Sequence, residues 1–135
     1  MIQFEDYDAL VVEDDVSGLA IISVMLRRLG IRTVMERYAS SVAERAERMP
    51  KVDVVFLDIG LPDGDGYDVL KTLRAMPKLE GVPVIAVTAR DAATEMTKAQ
   101  EAGFNGFLGK PLNRTRFPDQ VRRIIDGESV WEVYR

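Results

Sequence analysis

At 135 residues, with 47% hydrophobic and 30% charged side chains, the chain has the size and composition of one globular domain with a proper core, not of a disordered segment. A formal net charge of −4 argues against nucleic acid as the partner, and the lack of cysteine excludes a disulfide framework and thiolate metal sites. The lack of histidine excludes histidine triads, histidine bases and histidine-ligated metals, so any chemistry must rest on carboxylates, lysine, hydroxyls and a hard, oxygen-loving cation. The N-terminus has neither the basic region nor the apolar run of a signal peptide, and no apolar run approaches the ~20 residues of a membrane helix. A cytoplasmic protein without membrane contact is expected.

In chain order, Ala9-Leu10-Val11-Val12 reads as a buried strand that ends in Glu13-Asp14-Asp15. Three consecutive acids repel, and either solvation or a bound cation must offset that repulsion. Asp15 or Ser17 caps a helix in which Leu19, Ile22, Leu26 and Leu29 share one face; Arg27 and Arg28 suit its C-terminal dipole, and Gly30 ends it. Ile31 to Met35 is a less apolar strand, expected at a sheet edge. A helix begins at Ser40 or Ser41 and stops at Pro50.

Val54-Val55-Phe56-Leu57 has no polar interruption and reads as a central strand buried on both faces, ending on Asp58. Gly60, Pro62, Gly64 and Gly66 then force a turn before a helix over Tyr67–Arg74. Pro83 to Thr88 is a fourth strand. Asp91 caps a helix closed by Gly103, Phe104 to Leu108 is a fifth strand, and Gly109-Lys110-Pro111 follows. The last helix runs from about Pro118 to Asp126, with Phe117, Val121, Ile124 and Ile125 inward. The alternation specifies an α/β fold, a doubly wound five-stranded parallel sheet with five helices. We read residues 1–135 as one domain, with a core over about 8–126 and a C-terminal tail over 127–135.

Parallel strands bring their carboxyl ends to one edge, where open α/β sheets hold ligands. That edge gathers Glu13-Asp14-Asp15, Asp58, Thr88 and Lys110. An acid cluster, a single acid, a hydroxyl and a cation are what magnesium-assisted phosphoryl transfer to a carboxylate needs. In such a site Asp14 and Asp58 bind Mg²⁺ directly, Glu13 binds through water, and the Gly60 carbonyl adds a ligand. Asp58 is the nucleophile, Lys110 neutralises phosphoryl charge, and Thr88 donates its hydroxyl to a phosphoryl oxygen.

With these residues in order, the sequence resembles the receiver domains of two-component response regulators. The resemblance rests on Val12-Glu13-Asp14-Asp15, Asp58-Ile59-Gly60-Leu61-Pro62 with Gly66, Val87-Thr88-Ala89, Phe107 and Lys110-Pro111. It implies a flavodoxin-like strand order 2-1-3-4-5, Asp58 as the phosphorylated aspartate, Glu13 and Asp14 as magnesium-site acids, and Lys110 as the family's lysine. It further implies a Thr88–Phe107 switch pair, with Phe107 moving in from a more exposed position, and a cis Lys110–Pro111 peptide. Asp15 is either a third rim acid or only a helix cap. The implied protein is a signalling phosphoacceptor rather than an enzyme, served by a histidine kinase or histidine phosphotransfer protein and acting on a downstream protein target. With nine residues after Asp126, it reads as a stand-alone receiver.

Gly60 and Arg90 stand at the two positions that modulate phosphoryl lifetime in that family, and Gly109 replaces a commoner apolar residue, which is expected to loosen that strand end. A haloacid-dehalogenase-like phosphatase would carry its nucleophile in an Asp-x-Asp motif on the first strand, whereas Gly60 stands two residues after Asp58. A flavodoxin-type nucleotide site would not place three acids at its phosphate loop, and Arg74 stands where a calcium loop starting at Asp63 needs glutamate. A degenerate receiver acting only as a binding module would not retain the acid, threonine and lysine set. The tail carries the single tryptophan, Trp131, with Val130, Val133 and Tyr134; it either folds back on its own domain or anchors a homodimer or partner contact.

Overall fold

In the computed structural model, which describes residues 2–133, the five strands read from the sequence join one parallel sheet. They are β1 (Asp8–Val12), β2 (Arg32–Glu36), β3 (Val54–Leu57), β4 (Val84–Thr88) and β5 (Gly106–Gly109), in the spatial order β2-β1-β3-β4-β5. The helices α1 (Val16–Arg28), α2 (Val42–Arg48), α3 (Gly66–Arg74), α4 (Ala92–Ala102) and α5 (Phe117–Ile125) make the crossovers.

The continuous apolar runs of β1, β3 and β4 are buried on both faces because helices cover the sheet from both sides. On one face Leu10, Val55, Leu57 and Phe107 pack with α2, α3 and α4. On the other, Val11, Phe56, Val87 and Leu108 pack with α1 and α5, and the Phe56 and Phe117 ring centroids lie 5.9 Å apart. At the edge, β2 leaves Arg32 and Met35 exposed. Aspartates start three of the helices: the carboxylates of Asp15, Asp65 and Asp91 accept the amides of Gly18, Tyr67 and Ala93, satisfying first-turn donors that the helix cannot. Asp15, not Ser17, is therefore the cap of α1.

The expected five-stranded sheet is corrected to six strands. Residues Val130–Glu132 form β6, parallel to β5, with Gly106 opposite Val130, Phe107 opposite Trp131 and Leu108 opposite Glu132. The physical reason lies on β5. A side chain at Gly106 would stand 2.7 Å from the Val130 carbonyl oxygen, and one at Gly109 would stand 2.5 Å from Val133 Cγ1. Gly109 does not leave the strand end loose; it is the seat of Val133. The tail thus folds back on its own domain, burying Val130 and half-burying Trp131 and Val133; Tyr134 and Arg135 lie outside the described residues.

Glu132 ties β6 to α5. Its Oε1 accepts from Gln120 Nε2 at 2.9 Å, its Oε2 accepts from Arg123 Nη1 at 2.9 Å, and Arg116 Nη2 lies 3.6 Å away. The Gln120 hydrogen bond, then Arg123, hold its carboxyl below the usual range. Asp119 and Glu128 also lie within ion-pair distance of Arg123. A depressed folded-state pKa gives stability that is present above the unfolded value and lost as pH falls through the folded one. The urea midpoint of wild type should therefore exceed that of Glu132→Gln by a constant margin near neutrality. That margin should shrink below pH 4.5, the ordinary value for this carboxyl. A margin that stays constant into acid would remove the assigned role.

Candidate functional site

At the carboxyl edge, β1 runs directly into Glu13 and β3 into Asp58, and the pairing of Val12 with Leu57 sets these two acids side by side. Glu13 is 1% exposed and Asp58 9%. Lys110, which follows β5, reaches in from the other side: its Nζ lies 2.5 Å from Glu13 Oε2 and 3.6 Å from Asp58 Oδ2. The Asp15 amide donates to Glu13 Oε1 at 3.1 Å, and the Gly60 amide donates to Asp58 Oδ1 at 3.1 Å. Burial pushes the Glu13 carboxyl above its ordinary range; the Lys110 hydrogen bond opposes this, and the nearby Asp58 charge adds to it. One cation thus stands between two carboxylates, with Glu13 sealed from water and Lys110 and Asp58 keeping a partly open edge.

Asp14 is half-buried at the same edge, and Asp15 faces solvent as the α1 cap. Thr88 is buried at the end of β4, where its Oγ1 accepts the Arg90 amide at 3.1 Å. Phe107 has no exposed surface, which corrects the expectation that it starts from a more exposed position. The Lys110–Pro111 peptide is cis. The Asp58 loop is held by close backbone packing. Gly66 donates its amide to Ile59 O at 2.8 Å, and a Cβ there would stand 2.6 Å from Ile59 Cα and 2.8 Å from Asp58 O. Gly66→Ala should therefore cost about 1–3 kcal/mol, the usual penalty of overpacking, measured by urea unfolding. An unchanged midpoint would show that the loop yields freely.

Sequence reasoning missed the roof over this edge. Arg90 Nη2 lies 3.5 Å from the point a Gly60 side chain would occupy, and Arg90 Nη1 lies 3.5 Å from Glu95 Oε1. Glu95 Oε2 accepts from the Tyr67 hydroxyl at 2.5 Å. Burial, then the bond to Glu95, push the Tyr67 phenol well above its usual range, so it remains a neutral donor. No sequence signal joins Tyr67 to Glu95, which lie 28 positions apart on two helices.

Among the described residues no three acidic side chains converge as a ready-made metal cage. The donor set nevertheless suits Mg²⁺, which takes hard oxygen ligands, keeps several waters and needs only one or two carboxylates. Glu13, Asp14 and Asp58 offer such oxygens at one edge, and Lys110 Nζ, 2.5 Å from Glu13 and 3.6 Å from Asp58, shows how close those two carboxylates stand.

A doubly wound parallel sheet in the order β2-β1-β3-β4-β5-β6, with acids, a threonine and a lysine at its carboxyl edge, defines a flavodoxin-like α/β domain. Residues 9–122 match the response regulator receiver domain, and the chain belongs to that family. Over 117 residues it is 28% identical to the chemotaxis protein CheY-3 of Vibrio cholerae, covering 87% of this chain and 90% of that protein. It is 29% identical over 121 residues to the signal transduction histidine-protein kinase BarA of Escherichia coli, covering 90% of this chain but only 13% of the kinase. Among solved structures, the receiver domain of the sensor histidine kinase PA1611 of Pseudomonas aeruginosa superposes with a TM-score of 0.79 at 32% identity, covering 89% of this chain and 98% of that one. That structure carries a magnesium ion coordinated in its active-site cleft. No helix among the described residues is long and apolar enough to cross a membrane.

Proposed function

We propose that this receiver domain accepts a phosphoryl group on Asp58 from a partner phosphohistidine, carried by a histidine kinase or a histidine phosphotransfer protein, and that this changes a protein-binding face read by a downstream protein. The observation that carries the reading is the placement of Lys110 Nζ, 3.6 Å from a nearly buried Asp58 carboxylate and hydrogen-bonded to Glu13. An Asp58 oxygen attacks phosphorus, the new P–O bond forms as the P–N bond breaks, and the electron pair leaves on the imidazole nitrogen. Mg²⁺, held by Glu13, Asp14, Asp58 and the Gly60 carbonyl, would neutralise charge on the phosphoryl oxygens when bound. Lys110 adds a second positive charge beside Asp58, and Thr88, whose Oγ1 accepts the Arg90 amide, keeps its hydroxyl proton to donate to a phosphoryl oxygen.

Of the two carboxylates that Lys110 faces, Asp58 is the acceptor because Glu13 is the more deeply buried and is already hydrogen-bonded to Lys110. Arg90, above Gly60, is placed to screen the acyl phosphate from water. We place the exchange in the cytoplasm. Incubation with a small phosphodonor and Mg²⁺, read by intact mass, tests the reading: a single hydroxylamine-labile phosphoryl group is expected, and no gain in mass would overturn it.

A further inference from the structure

We infer that β6 is the output element of this domain: the state of Asp58 passes through Thr88 and Phe107 to the tail strand, and Trp131 is the side chain whose exposure changes. This rests on Asp58 as phosphoacceptor. Phe107 has no exposed surface, so it cannot signal by its own withdrawal from solvent. Trp131 stands opposite it in the β5–β6 register, packs on the same face of the sheet and is only half-buried. A second contact lies nearer the site. Val133 sits over Gly109, which pairs with Thr88 across β4–β5 and immediately precedes Lys110. The tail therefore leans on β5 at two points, one beside the switch aromatic and one beside the site lysine.

The fit is specific. Gly106 and Gly109 both lack the side chain that would push the tail away, and the tail lies beyond residues 9–122, the segment that the family accounts for. It is also the shortest strand of the sheet. β6 is three residues long, pairs on one side only, and is held by the burial of Val130 and the bonds of Glu132 to α5. Close-packed interiors respond to a shifted side chain by repacking rather than by compressing, and the least stable element yields first. When Thr88 and Lys110 close on a phosphoryl group, the β5 backbone between Phe107 and Lys110 moves with them and β6 loosens.

The experiment uses the full chain. Trp131 is the only tryptophan, so its emission reports on β6 alone. With acetyl phosphate and Mg²⁺, and phosphorylation followed by intact mass, Trp131 emission should move to the red and the amides of Val130–Glu132 should lose protection in hydrogen exchange. Asp58→Asn should show neither change. Coupling is reciprocal, so weakening the tail with Glu132→Ala should raise affinity for beryllofluoride, a phosphoryl mimic, by roughly fivefold or more. If the mass shows Asp58 phosphorylated while Trp131 emission, β6 protection and beryllofluoride affinity stay unchanged, the proposal is overturned and the phosphoacceptor reading stands. If no phosphoryl group is gained, both fall together.

Discussion

Asp58→Asn should reduce Mg²⁺-dependent phosphorylation to background, while wild type takes up a single phosphoryl group. The carboxamide keeps the shape and the acceptor for the Gly60 amide, but it removes the nucleophilic charge and one of the two carboxylates that face Lys110. The fold should survive, since the exchange relieves the repulsion between Asp58 and Glu13. Lys110→Ala should lower the rate by roughly 10²–10³-fold, the usual loss when one preorganised charge-stabilising group is removed. Both variants are read by intact mass against time with a small phosphodonor. Wild-type stoichiometry in Asp58→Asn would mean that Glu13 or Asp14 is the acceptor, and the assignment would fail.

Adding Mg²⁺ should raise the melting temperature, and chelating it should stop phosphorylation. The carboxylates that repel one another in the free protein become ligands in the bound one, so binding stabilises the native state alone. At ten times its dissociation constant an ion stabilises by about 1.4 kcal/mol, as RT ln(1 + [L]/Kd) gives. For a chain of this length that corresponds to a rise of roughly 3–6 °C. Asp14→Asn should blunt the rise while leaving Lys110 seated between Glu13 and Asp58. A wild-type melting curve unmoved by millimolar Mg²⁺ would count against Glu13, Asp14 and Asp58 as its ligands.

The amino-acid sequence by itself determined the alternation of strands and helices, the order of the site residues and the edge to which they come. Val54–Leu57 could be read because a strand covered on both faces needs only an unbroken apolar run, and its neighbour Asp58 then had one place to go. Asp91 and Gly103 could be read because caps are local chemistry. The choice of Asp15 over Ser17 was not legible in the sequence, since both residues suit the cap and only the backbone path decides which oxygen meets the Gly18 amide.

Tertiary structure alone decided three further things, each a contact between distant parts of the chain. Val130-Trp131-Glu132 is too short, and too mixed, to announce a strand; it becomes one because Gly106 and Gly109 leave a groove on β5. Phe107 is sealed in because that same strand lies beside it. Arg90 is drawn over Gly60 near a Glu95 that Tyr67 also holds, and Tyr67 belongs to another helix. Local patterns carry propensity, periodicity and charge. They carry no record of which empty space on one strand will fit a side chain two dozen residues later, and in this protein that fit decides the sixth strand.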